Sequence, residues 1–118
     1  MKDEVISIFT LSLAPEDFPE FKALVAKIVA ATSKEPGTLM YEYSVNEAHT
    51  EAHIIERYRA DAVVSHIEET FAPFGEKFLE LVKITSLLVY GNPDAPTRKH
   101  LDAFGAVYMN SFDGFTRT

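Results

Sequence analysis

Four runs of alternating hydrophobicity and two runs of helical periodicity succeed one another in this chain as strand, helix, strand, strand, helix, strand, and that order leaves few architectures open. Val5 to Leu13 is rich in β-formers and stops at Ala14-Pro15. From Glu16, Phe18, Phe21, Leu24, Val25, Ile28 and Val29 recur at helical spacing opposite Glu20, Lys22 and Lys27, which predicts a helix ending near Thr32-Ser33. The turn Glu35-Pro36-Gly37 follows. Leu39, Tyr41, Tyr43 and Val45 then alternate with Met40, Glu42 and Ser44, so the second strand has two unlike faces.

The polar stretch from Asn46 to Ala52 joins that strand to His53–Tyr58 as a hairpin. Asp61 is placed to cap a second helix that carries Val63, His66, Ile67 and Thr70 on one stripe. Pro73 interrupts this helix, and a further turn is expected through Phe74, Phe78 and Leu81. Lys83 to Tyr90 reads as the fourth strand, ended by Gly91-Asn92-Pro93. The expectation is an α+β fold: a ferredoxin-like βαββαβ antiparallel sheet of four strands with helices on one face. Residues 1–92 form that body, and 93–118 form a C-terminal extension of the same domain with a short helix over Arg98 to Phe104. Its apolar and aromatic end (Phe104, Val107, Tyr108, Met109, Phe112, Phe115) must bury itself on the body as a lid or on a partner chain.

At 118 residues the chain fits one domain, and 47% hydrophobic content supplies one core. A sheet with helices on one side leaves its other face bare. Tyr, Met and Phe on that face would form an apolar patch, which a two-fold homodimer, sheet against sheet, would cover.

The net charge is −7, with 6 basic and 10 acidic groups in residues 1–60 and 5 and 8 in 61–118, so no basic stripe exists to hold a phosphate backbone or an anionic membrane. Nucleic acid and membrane are therefore not expected partners. Zero Cys removes disulfides, thiolate nucleophiles and Cys-held metals. Met1-Lys2-Asp3-Glu4 lacks the basic segment of a leader, and no apolar run reaches the ~18 residues of a membrane span. A cytoplasmic protein is expected. Phosphate loops, dinucleotide fingerprints, His-Glu-x-x-His and nucleophile elbows are absent from the sequence.

Three patterns stand in a particular order: Glu35-Pro36-Gly37-Thr38-Leu39-Met40-Tyr41-Glu42, then Ile55-Glu56-Arg57-Tyr58, then Ser65-His66 followed by Phe71-Ala72-Pro73-Phe74. Together they resemble the antibiotic biosynthesis monooxygenase domain family over residues 5–90. The resemblance implies a dimeric α+β barrel with one pocket per subunit. It also implies oxidation of a small aromatic quinol, phenol or anthrone by O2, with no metal, flavin or haem. The family's helix-two histidine matches His66, and the Glu of its strand-three motif matches Glu56. Many members end that strand in Trp; this chain has Tyr58 and no Trp, and its first strand lacks the Asn of the haem-degrading branch.

Residue chemistry bears on these matches in two ways. An imidazole titrating near neutral pH suits His66 to take a proton from a phenol or quinol, although a His on an apolar stripe can equally be a satisfied core residue. Glu56 could orient His66 or meet a substrate hydroxyl. Pairing with Arg57, Arg59 or a lysine across a dimer explains it equally well. Tyr41, Tyr43, Tyr58, Phe71 and Phe74 could wall a pocket for an aromatic ligand, or could simply pack the sheet. His49 and His53, four apart with Glu51 between them and Glu47 just before, could ligate a metal ion; in a hairpin loop they read as solvated. No metal site and no cofactor are expected. Two other functions compete: a non-catalytic aromatic-binding or stress-response protein, and a proton-transfer enzyme such as an isomerase acting on a small carbonyl compound.

Overall fold

The computed structural model describes residues 3–117; Met1 and Lys2, part of the leader reading above, lie outside them. Strand β1 (Glu4–Leu13) leads through a 3₁₀ turn (Pro15–Asp17) into α1 (Phe18–Thr32). Pro15 and Pro19 fall in opening turns, where a missing N–H leaves no bond unmade. Strands β2 (Thr38–Val45) and β3 (Glu51–Arg59) form the hairpin. A second 3₁₀ turn (Ala60–Ala62) then feeds a continuous helical stretch of α2 (Val63–Ser65), a π-helix (His66–Phe71) and α3 (Ala72–Leu81). Strand β4 (Val82–Tyr90), α4 (Ala95–Asp102) and β5 (Ala106–Met109) complete the chain.

The sheet order is β2-β3-β1-β4-β5, antiparallel except for the parallel β4–β5 pair. The α+β, ferredoxin-like expectation is met with one correction: the sheet has five strands, because the C-terminal extension adds β5 beside β4. The extension's helix also starts earlier than expected, since Asp94 accepts a hydrogen bond from the Thr97 N–H at 3.0 Å and caps it. A second correction concerns Asp61. It lies exposed within the 3₁₀ turn and caps nothing through its side chain.

Strict alternation fixes which face of the sheet meets the helices. Val5, Ser7, Phe9, Leu11 and Leu13 of β1 are buried inward, as are Ala52, Ile54, Glu56 and Tyr58 of β3. Phe21 and Ile28 of α1 and Phe78 of α3 close the core from above. The expected lining of the bare face also needs correcting. Tyr41 and Tyr43 register with Glu56 and Ile54 and so turn inward, while Met40, Tyr90 and Met109 lie on the outer face as expected, beside Ile6, Ile8, Ile55, Leu88 and Val107. No helix among the described residues is long and apolar enough to cross a membrane.

Candidate active site

Between the sheet and the helical stretch lies a partly open apolar cavity of about 30 Å³. Its floor is one row of the pleat. Tyr41 of β2 stands opposite Glu56 of β3, and Glu56 stands opposite Ser7 of β1. Phe9, Ile54, Tyr58 and Ile84 extend the floor; Val63, His66, Ile67, Phe71 and Phe78 come down from the helices, and Leu101 and Phe104 close the side from the C-terminal extension.

His66 opens the π-helix, where the Ala72 N–H bonds back to the Ile67 carbonyl five residues earlier. Pro73, next in line, has no N–H to continue an α-helical ladder and its ring crowds the preceding turn, so the widened turn is accommodated just before it. The effect is to bring His66, Ile67 and Phe71 to the same cavity wall. The His66 ring is boxed by Tyr41 and Tyr58, each with centroid 5.3 Å away, and by Phe71 at 6.4 Å.

The residue that holds His66 is Glu35. Nδ1 of the imidazole lies 3.1 and 3.2 Å from the two Glu35 carboxylate oxygens, and Thr38 Oγ1 donates to Oε1 of the same group at 2.5 Å. Gly37 makes this pairing possible. A side chain there would strike Ala62 Cβ at 2.5 Å, whereas glycine lets the turn settle against the entrance to α2, with the Gly37 carbonyl accepting the Arg59 N–H at 2.8 Å. Glu35 also borders a surface groove with Lys34, Arg59 and Ser65, so the pair has a way out to solvent.

Glu56, matched above to a role as orienter of His66, is instead engaged elsewhere: Tyr58 donates its hydroxyl to Glu56 Oε1 at 2.5 Å. The arginines are also otherwise placed, Arg57 forming a two-point pair with Glu4 at 2.7 and 3.1 Å on the outer face. Burial pushes the Glu56 carboxyl up to about 8, against the pull of the Tyr58 hydroxyl, and the nearby Glu35 charge adds to the rise. Burial holds His66 below its ordinary value, with Glu35 opposing that shift. Tyr41, Tyr43 and Tyr58 are all raised by burial.

Burial thus favours the uncharged form of both groups, the neutral imidazole and the protonated carboxyl. Donation from Nδ1 to Glu35 leaves Nε2 as the basic nitrogen for anything bound in the cavity. Base and acid face a single apolar enclosure.

Of the residues matched or considered above, the structure brings His66, Glu56, Tyr41, Tyr58 and Phe71 together around this cavity. Tyr43 stands behind Tyr41, their hydroxyls 2.7 Å apart, and Phe74 packs against the core without lining the cavity. Sequence reading missed Glu35, Ser7, Leu101 and Phe104. Only Ser7 left a local signal, a polar residue breaking the inward row Val5, Phe9, Leu11, Leu13. His49 in the hairpin loop stacks on Phe18, whereas His53 lies on β3 and not in the loop, its Nε2 meeting Glu51 at 2.9 Å; among the described residues no group of three or more His, Asp or Glu could hold a metal ion. His100 of α4 meets Glu68 of the π-helix at 2.8 Å.

The antibiotic biosynthesis monooxygenase family model matches residues 4–70. The fold is similar to the crystal structure of MupZ from Pseudomonas fluorescens, at 25% identity and TM-score 0.87 over 99% of this chain and 91% of that one. It is also similar to Rv0793 from Mycobacterium tuberculosis (19% identity, TM-score 0.64, 77% of this chain and 96% of that one). SnoaB, a cofactor-independent oxygenase from Streptomyces nogalater, is similar as well (17% identity, TM-score 0.64, 79% and 96%). No curated protein sequence matches the chain. The likeness to MupZ spans the whole length, the C-terminal extension included, whereas the other two cover a length nearer to the body alone.

Proposed function

The chain belongs to the antibiotic biosynthesis monooxygenase family, and on that premise we propose that it is a cofactor-independent monooxygenase that oxidises a small aromatic quinol, phenol or anthrone with O2. The observation that carries this reading is the buried His66, paired through Nδ1 with Glu35 and lining an apolar cavity with Tyr41, Tyr58 and Phe71. Nε2 takes the proton from the substrate hydroxyl, or from the carbon acid of an anthrone, and Glu35 stabilises the imidazolium so formed. The resulting anion gives one electron to O2. Recombination of the radical with superoxide forms a C–O bond, and loss of water leaves one oxygen atom as a substrate carbonyl. The substrate supplies both hydrogens of that water, so no external reductant enters. The apolar enclosure keeps bulk water from the reactive anion.

The likeness to SnoaB supports the fold of such an enzyme, and family membership supports the reaction type. In this reading the protein is a cytoplasmic homodimer, a view supported by the absence of Cys and by the apolar outer face of the sheet. In the same reading residues 93–118 belong to this domain, a view supported by the β4–β5 pair and by Leu101 and Phe104 at the cavity.

A second reading is favoured by one observation, a buried carboxyl (Glu56) and a buried imidazole (His66) lining one cavity, where burial favours the uncharged acid and the uncharged base: a proton-transfer enzyme that needs no oxygen. Oxygen uptake by metal-free protein with quinols, naphthols and anthrones, corrected for autoxidation, separates the two. Uptake that falls by ~10²-fold or more in His66→Ala is expected. Turnover that persists without oxygen overturns the monooxygenase reading, and stabilisation by ligands with no turnover identifies a binding protein.

A further inference from the structure

We propose that Ser7 is a ligand-binding residue whose hydroxyl, with the Glu56 carboxyl opposite it, forms a second polar pole in the cavity, selecting an aromatic ligand that carries two oxygen functions. The inference rests on the site assigned above and narrows its substrate class.

Ser7 is 1% exposed, and its Oγ has no hydrogen-bond partner among the described residues. Burying a hydroxyl without a partner is unfavourable, so a position that tolerates one needs a reason. Packing does not provide it. The other inward positions of β1 are Val5, Phe9, Leu11 and Leu13, and a branched apolar residue at position 7 would continue the row and fill the space beneath His66. Serine does the opposite, leaving the cavity open and setting a donor on its floor. The other buried hydroxyl without a partner, that of Thr32, lies on α1 and does not line the cavity.

Register supplies the second half of the argument. Ser7 lies directly across from Glu56 on one side and Val89 on the other. Ser7 and Glu56 are therefore neighbours on the same face of an antiparallel pair. Oε1 of Glu56 is taken by Tyr58, so Oε2 and the Ser7 hydroxyl remain as adjacent groups able to grip one oxygen. His66 approaches from the helical side. A ligand in the cavity thus meets a base from the helical wall and a donor–acceptor pair on the sheet floor. A monohydroxylated ring satisfies one pole and leaves the other unpaired, and an unpaired buried polar group is the strongest source of discrimination between ligands of like shape.

The test is anaerobic calorimetric titration of the intact protein with 1-naphthol and with the isomeric dihydroxynaphthalenes, alongside thermal unfolding. The wild type is expected to bind at least one dihydroxy isomer about tenfold more tightly than 1-naphthol. Ser7→Ala should erase that preference while leaving 1-naphthol affinity and Tm unchanged or slightly raised, because it removes an unpaired hydroxyl. Ser7→Thr, which keeps the hydroxyl, should retain the preference. The proposal is overturned if no isomer is preferred by the wild type, if Ser7→Ala keeps the preference, or if Ser7→Ala loses affinity for every ligand together with a fall in Tm. Binding is measured without oxygen. A failure of the monooxygenase reading, seen as absent oxygen uptake, is therefore distinct from a failure of this one.

Discussion

Nδ1 of His66 faces both carboxylate oxygens of Glu35, a residue 31 positions earlier, at 3.1 and 3.2 Å. A turn residue and a helix residue thus make one chemical unit. The carboxylate fixes the ring's orientation and its proton-bearing nitrogen, and it favours the cation that appears once the ring has accepted a proton.

Glu35→Gln should therefore lower kcat at least tenfold while leaving KM within about a factor of three, since Glu35 acts through His66. The pH profile gives the sharper test. His66 already sits below its ordinary value because it is buried, and Glu35 is what holds it up. Removing that charge moves the acidic limb of kcat/KM to lower pH. A limb that stays in place while activity falls would mean that Glu35 serves only the fold.

Glu56 makes stability depend on pH. Its folded value of about 8 lies above the ordinary 4.5, so between those values the folded state holds a proton that the unfolded state has lost, and stability falls as pH rises through the window. His66 shifts the opposite way, but its contribution is confined to pH below 6.5. From pH 6.5 to 8 denaturant unfolding should therefore show a loss of roughly 2 kcal/mol. Glu56→Gln should flatten that slope, and an unchanged slope in the variant would assign it to another group.

Phe104 and Leu101 close the cavity from the C-terminal extension, with the Phe104 ring edge-on to Phe9 at 5.9 Å between centroids. Phe104→Ala should cost about 2 kcal/mol, less than a fully buried Phe, and should enlarge the cavity. Its kcat/KM should rise for three-ring substrates relative to two-ring ones. An unchanged ratio would place substrate entry on another side.

The outer sheet face carries Ile6, Ile8, Ile55 and Leu88 in a continuous patch. Light scattering should give twice the 13.2 kDa chain mass. Ile8→Lys places a charge at the centre of that patch and should shift the protein toward monomer. A wild-type mass of 13.2 kDa would remove the homodimer from the reading.

Periodicity along the chain was enough to place β1 to β4, α1 and the helical stretch from Val63, though not its unbroken passage through Pro73, because alternation and the 3.6-residue repeat are local properties of which face meets the core. His66 was legible for the same reason, as a titratable residue on an apolar stripe. Its partner was not. Glu35 reads locally as part of a Pro-Gly turn, and only the close approach of Gly37 to Ala62 carries it to the imidazole. Glu56 was legible as a buried carboxylate but not as Tyr58's acceptor, since both lie on the same strand face and their contact depends on how the helices above close the space. The fifth strand and the cavity wall made by Leu101 and Phe104 were likewise beyond reach, because a four-residue strand pairs where a long-range edge is free and not where its own pattern dictates. Local sequence thus determined the elements and their inward faces. Tertiary packing decided which polar groups meet across those faces, because a buried charge or hydroxyl finds its partner by proximity in space, which hydrophobic periodicity does not encode.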